Sequence, residues 1–354
     1  MTETEHQGHE TLVDQIQNSI FANNGNFTDR TTSVDSFKNN NQKYDCVSND
    51  AINHHQNIPQ GPKEQHQSKS TYDYLFLQWK EAIGCLSWKE DTDTFKATID
   101  KNSSDITSSA VTNDSNTLGR DETSCFDKWF HKLWEMHTSY ATRHYHTVVH
   151  LEEMCFYLQL VYASLPSPNN DDCFVVEEIG VKLSIKSLLL LCIFFHDAVY
   201  DVHSSTNEED SATLFESSFA KHTDLHPNNV QLVVTYILAT KHHTIRDATT
   251  AIPSIIDSDN SLPYDPLQLF LDIDMSVLGK VPMAYQLYSI LIRKEYFFLP
   301  PDVYCSKRAD ILELFLTQSK RIYHTTLFYD AFEQRARYNV QQEIQLLRQG
   351  IIPS

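Results

Sequence analysis

The chain has 354 residues, of which 41% are apolar, and a formal net charge of −19. So large an acid excess argues against non-specific binding to nucleic acid or to an anionic membrane, because both want a basic surface. A small phosphorylated molecule stays open, since it needs only a local basic pocket.

The seven cysteines, at positions 46, 85, 125, 155, 173, 192 and 305, are odd in number and form no C-x-x-C pair. That pattern fits a reducing compartment better than a disulfide framework. The start, MTETEHQGHE, has neither a basic cluster nor an apolar stretch, so no signal peptide is expected. The most apolar run, Leu188–Phe195, is far short of the ~20 residues of a membrane span. The expected location is cytoplasmic or nuclear.

In chain order, residues 1–70 are rich in Asn, Gln, His, Ser, Thr and Asp, and have little to bury. They are expected to be a disordered tail, an interaction segment with no identifiable partner. Thr71–Trp88 carries Tyr72, Leu75, Phe76, Trp79, Ile83 and Leu86 at helical spacing. Residues 89–122 return to Ser, Thr, Asn and Asp and are read as a disordered insertion within the domain. From Ser124 the helical period resumes with Phe126, Trp129, Phe130 and Leu133, and a second stripe spans Tyr145–Ser164.

Lys186–Asp197 follows as a buried helix, then Asn207–Phe219 and a helix opened by Pro227 that ends in Thr240-Lys241-His242-His243. Leu267–Leu278 is helical and stopped by Gly279, and three more helices are expected near 282–297, 301–319 and 326–349. The class is all-α, with roughly ten helices in one domain over 71–350.

Three places carry chemistry. In LCIFFHDAVYD (191–201), the apolar run ends abruptly in His196-Asp197. An imidazole and a carboxylate at the end of a buried helix lie at the wall of a cavity and want a partner, and a divalent metal is the simplest one. The plainer alternative is a polar turn capped by Asp. His146 and His150, four apart in YHTVVH, would share one face of a helix. Asp272 and Asp274 stand in an apolar stretch. Two apart on a helix, they cannot share a face, so one reaches a common site and the other caps or pairs with a base. His150, His196, Asp197 and one of the two aspartates make a ligand set suited to Mn, Mg, Co, Fe or Zn.

The order H…HD…D in an all-α chain resembles the HD-domain superfamily. RHYHTVVHLEEM (143–154), FFHDAVYDVHSSTNEEDSA (194–212), LATKHH (238–243), DIDMSVLG (272–279) and IRKEY (292–296) resemble its branch of uncharacterised metal-dependent phosphohydrolases. The resemblance implies His150, His196, Asp197 and Asp274 as metal ligands. The YHxxxH arrangement is also similar to that of cyclic-nucleotide phosphodiesterases, which implies His146 as general acid toward the leaving oxygen and favours Asp274, which precedes Met275-Ser276, over Asp272. Asp272 and Glu208 remain catalytic candidates, Glu209 and His242 candidates for a second metal or a positioned water. Tyr200 stands where a related pattern has a second His.

For phosphate, the candidate cations are Arg143, Lys241 and Arg293, while Lys294 reads as a surface charge. The expected activity is hydrolysis of a small phosphoester, possibly a nucleotide, by metal-activated water with His as general acid. Two other readings are weighed: a di-iron oxygenase, with ligands drawn from His222, His226, His242 and His243, and a silent ligand-binding or scaffold protein. Homo-oligomerisation is open.

Overall fold

A computed structural model describes residues 62–89, 124–139, 143–165, 176–177, 180–243, 262–318 and 320–353. Ten α-helices run through them. The first five are α1 (Pro62–Ile83), α2 (Cys125–His137), α3 (Val148–Ala163), α4 (Ile185–Phe195) and α5 (Asn207–Thr213). The others are α6 (Pro227–Ala239), α7 (Pro266–Asp274), α8 (Pro282–Glu295), α9 (Pro301–Gln318) and α10 (Thr326–Arg348). Among the described residues the only strand ladder is a two-residue hairpin, β1 (Val176–Glu177) with β2 (Gly180–Val181).

The chain is all-α, as its periodicities imply. The insertion read over 89–122, its first residue apart, and most of the tail lie outside the described residues. α1 begins at Pro62, inside the stretch read as tail.

The core is built around α4. Leu188 to Phe195 are each at most 5% exposed, and α4 packs against α1, α3, α6 and α7. A helix apolar all round can sit only at the centre, where each such side chain contributes about 1.5–3 kcal/mol. Ser184 caps its start, accepting from the Ser187 amide at 3.1 Å. The helix stops at Phe195, so His196 and Asp197 fall in the turn that follows. Behind it, Trp79 meets Phe194 edge-on at 5.4 Å, and Phe195 lies 5.2 Å from Phe219. Phe219 reaches that cluster because α5 widens into a π-helix, Leu214–Phe219, that turns both Phe215 and Phe219 fully inward.

Two local departures from the sequence reading matter for the site. α3 starts at Val148, with Thr147 as its cap, so His146 lies in the bend before the helix and not on it. α7 ends at Asp274 and passes into a 3₁₀ turn, Met275–Gly279. A Cβ at Gly279 would lie 2.4 Å from the Phe332 Cβ. That glycine lets α10 seat on the turn.

Candidate metal centre

Three elements converge at the open end of α4. His150 comes from the first turn of α3, His196 from the turn after α4, and Asp274 from the last residue of α7. One ligand atom from each lies within 4.8 Å of the others. Asp274 Oδ1 is 3.1 Å from His150 Nε2 and 3.8 Å from His196 Nε2. Ligand atoms around one cation with bonds of about 2.0–2.2 Å stand roughly 3.0–3.5 Å apart, so this spacing suits a shared ion.

The ring tautomers suit it too. His196 Nδ1 donates to the Ile193 carbonyl at 2.9 Å, which makes Nε2 the nitrogen a cation would take. That Nε2 is buried and makes no hydrogen bond of acceptable geometry; Asp197 Oδ2 is 3.1 Å away. His150 Nδ1 faces the Tyr145 hydroxyl at 3.3 Å, so its Nε2 is likewise the inward nitrogen. An orphaned buried imidazole nitrogen beside two carboxylates is the donor set a divalent cation takes. Although burial opposes it, the charge of Asp197 pushes His196 up to about 9, so without an ion its Nε2 holds a proton that a bound cation would displace; against burial, the facing imidazoles hold Asp197 and Asp274 well below the usual carboxylate range. The two carboxylates therefore carry their charge.

A second group stands beside this cluster. The His146 ring lies 6.2 Å from that of His150 and packs against Tyr200 at 4.4 Å. Its Nδ1 bonds Glu295 Oε2 at 2.8 Å. Glu295 is the last residue of α8 and is 2% exposed. A carboxylate at a helix C-terminus opposes the dipole and, when buried, needs compensation. It has five donors: the amides of His144, Tyr145 and His146 at 2.7, 2.7 and 3.1 Å, the His146 ring, and the Tyr200 hydroxyl at 2.7 Å.

Despite its burial, those contacts hold Glu295 down to about 2. Burial also pulls His146 down, but Asp197 and Glu295 outweigh it and its pKa rises. The arrangement favours the charged imidazole and fixes it through Nδ1.

The other residues singled out from the sequence fall elsewhere. Asp197 reaches His196 but not the cluster of three. Asp272, 1% exposed, points away: its carboxylate accepts from the His324 and Thr325 amides at 2.7 Å each and from the Thr325 hydroxyl at 2.6 Å. It thereby anchors the cap of α10. Burial raises it to about 7, against the pull of those bonds.

Arg143, 3% exposed, donates to the carbonyls of His146, Asp197 and Ala198 at 3.1, 2.7 and 2.8 Å, tying the His146 bend to the His196 turn. Lys241 is held by Glu209 at 2.5 Å and the Ser205 carbonyl at 2.7 Å, with Glu208 at 3.9 Å. Arg293 closes the end of its own helix, donating to Tyr296 and Leu299 carbonyls. His242 is exposed in the turn after α6.

Its neighbour His243 is the one that turns in, with Nε2 2.9 Å from Asp274 Oδ2. It does so from a left-handed backbone, φ 49°, which is uncommon for a residue with a side chain and clusters at functional sites.

No family model, curated protein or solved structure matches this chain. Among the described residues no helix is long and apolar enough to cross a membrane. Sequence reasoning passed over Glu295, which had one available signal: an acid in the last turn of an amphipathic helix, where the dipole disfavours it.

Proposed function

We propose that this protein is a metal-dependent hydrolase of a small phosphoester, with one divalent cation (Mn, Mg, Co, Fe or Zn) held by His150, His196 and Asp274, and with Asp197 beside it. The observation that supports this most is the pairing of two sites. A cation-ready cluster with an orphaned buried Nε2 stands next to a separate, carboxylate-held imidazole.

Bound there, a divalent cation lowers the pKa of water and polarises a phosphoryl oxygen. The chain's own residues do the rest. Asp274 carries the negative charge that retains the cation, and Tyr145 and the Ile193 carbonyl fix the two ligating rings. His146, protonated and locked by Glu295, gives its Nε2 proton to the departing alkoxide, a contribution of typically ~10²–10⁴-fold. Once neutral, it is recharged from solvent, since its side chain is 23% exposed.

The test is phosphate release from a panel of nucleotides and simple phosphoesters by protein loaded with Mn²⁺, Co²⁺, Zn²⁺ or Mg²⁺. Hydrolysis lost in Asp274→Ala supports the proposal; metal-replete protein inert across the panel refutes it. One observation favours a second reading, a di-iron oxygenase. Asp274 stands between two imidazoles, His150 on Oδ1 and His243 on Oδ2, as a carboxylate shared by two ions would. Two irons per chain with oxygen uptake would support that reading, and protein without iron after iron-rich aerobic expression would end it.

A further inference from the structure

α8, α9 and α10 meet on a second buried polar group. Glu343 of α10, 3% exposed, is fully engaged. Its Oε1 accepts from Arg308 Nε at 3.1 Å, and its Oε2 accepts from the Tyr285 hydroxyl and, at 3.1 Å, from the Ser289 hydroxyl. Arg308 of α9, with 14% of its side chain exposed, gives Nη2 to the Tyr288 hydroxyl at 3.3 Å. Its Nη1 has no hydrogen-bond partner among the described residues. Tyr304, one turn earlier on α9 and 2% exposed, carries a hydroxyl that has none either. The group lies two contacts from the metal cluster: the Tyr288 ring meets that of Tyr145 at 4.7 Å, and the Tyr145 hydroxyl faces His150.

A guanidinium has five N–H donors and a phenol has one. Two of the five are placed here, while the Tyr288 hydroxyl accepts from Arg308 and keeps its own proton to give. Donors left unpaired at this depth are costly, so the surplus calls for an acceptor. The local charge says which kind. The Arg293 guanidinium lies 4.6 Å from the centre of the Tyr304 ring. It donates to the Tyr296 and Leu299 carbonyls, which leave its charge uncancelled. Two guanidiniums thus stand against Glu343. Burial lifts the Tyr304 hydroxyl to about 12, and among the charges acting on it Arg308 comes ahead of Glu343. Tyr296, on which Glu295 outweighs Arg308, is not counted.

We infer that Arg308, Tyr288 and Tyr304 form an oxyanion site, distinct from the metal centre, that takes one phosphate group through Arg308 Nη1 and the two hydroxyls. A guanidinium with hydroxyl donors beside it matches the several oxygens of a phosphate, and hydrogen bonds to a charged acceptor are the strong ones. The phosphate is either the free ion or the head of a monoester. The site stands whether or not the metal centre hydrolyses anything, because it uses none of the ligands and neither His146 nor Glu295.

The experiment is equilibrium dialysis of the full-length, metal-loaded protein against inorganic phosphate and, separately, methylphosphonate, counting anion bound per chain in the parent, Tyr304→Phe and Arg308→Lys. Phosphate held by the metal persists in Tyr304→Phe, so the difference from the parent isolates the new site. Tyr304→Phe and Arg308→Lys are each expected to weaken that binding about tenfold or more. Tyr304→Phe should match the parent in a denaturant melt, because its hydroxyl gives up no internal bond, and so it decides the matter even if Arg308→Lys fails to fold. Methylphosphonate bound with the same dependence on Tyr304 assigns a monoester head; inorganic phosphate alone assigns the free ion. Phosphate binding unchanged in Tyr304→Phe overturns the inference, since water then completes these donors. A melt lowered in Tyr304→Phe with phosphate binding kept overturns it too, by showing an internal role for the hydroxyl. Inert metal-loaded protein that still binds phosphate through Tyr304 would sink the hydrolase reading and leave this site standing.

Discussion

Asp272 and Asp274 leave the same end of α7, two residues apart in a stretch that is otherwise apolar, and meet different surroundings. Asp272 is turned into the protein. Its neighbours are amides and a hydroxyl from the start of α10, and burial lifts its pKa toward neutrality. Asp274 is turned toward His150, His196 and His243, and these hold it charged. The same side chain thus serves as a cap anchor in one place and a candidate cation ligand in the other. Composition does not distinguish them; what does is whether the facing groups are backbone donors, which complete a fold, or imidazole lone pairs, which leave room for an ion.

Two substitutions should separate the pair most widely. Asp274→Ala should reduce metal to background by elemental analysis and abolish hydrolysis, with the thermal transition of the metal-free protein little changed. Asp272→Ala should keep the metal and lose stability on the order of 3 kcal/mol, because three buried donors lose their acceptor. A denaturant melt and a metal count on both variants give the four readings needed. Loss of metal in Asp272→Ala, at a temperature where the variant is folded, would break the division of labour.

The next effect belongs to His146 and its clamp. His146→Ala should lower kcat about 10²–10⁴-fold with the metal retained. Glu295→Gln should lower it less and move the alkaline limb of the pH–rate profile to lower pH, because the imidazolium loses a charged partner. A changed metal content with an unmoved limb would instead place Glu295 in the scaffold beneath the metal cluster.

Much of this was legible beforehand and some was not. The all-α class and the central α4 follow from local signals, a saturated apolar run with a polar pair at its end; His150, His196 and Asp274, which the resemblance implies as ligands, do stand within 4.8 Å of one another. Two apart is about 200° on a helix, which puts Asp272 and Asp274 on different faces but does not say which one faces the histidines. His146 is not on the helix with His150: Thr147 caps that helix and leaves the His146 ring in the bend. Its position is set by Glu295, about 150 residues away in sequence, and no local pattern carries that contact. His243 rather than His242 was hidden for a related reason: a single left-handed residue decides which of two adjacent histidines turns inward.

The contrast between buried carboxylates extends to Glu152, on α3 two residues past His150. Its Oε2 accepts from the Thr71 hydroxyl at 3.0 Å, and burial, with Glu153 adding, lifts it to about 7 against that bond. An acid whose pKa is raised by folding favours the protonated folded state. Its contribution is whole below the unfolded pKa of about 4.5 and is lost as pH rises through about 7. Between pH 5 and pH 8 the parent protein should therefore lose on the order of 2 kcal/mol that Glu152→Gln does not lose, read as the difference between their urea midpoints. Identical pH slopes would mean that Glu152 is solvated.

The smallest expected effect is at Lys241, and it tests whether the sequence-level assignment of phosphate-binding cations survives the geometry. The ammonium bridges Glu209 and the Ser205 carbonyl, joining the segment before α5 to the turn after α6, with 28% of the side chain exposed. A part-exposed pair of this kind is worth about 0–1 kcal/mol. Lys241→Ala should accordingly shift stability by no more than that, leave metal content unchanged, and move KM for a phosphoester by less than about twofold. A tenfold rise in KM at unchanged stability would mean that Lys241 releases Glu209 to bind substrate. It would then belong with Asp274, on the side of chemistry, rather than with Asp272, on the side of architecture, and the rim would hold the cation that its resting contacts conceal.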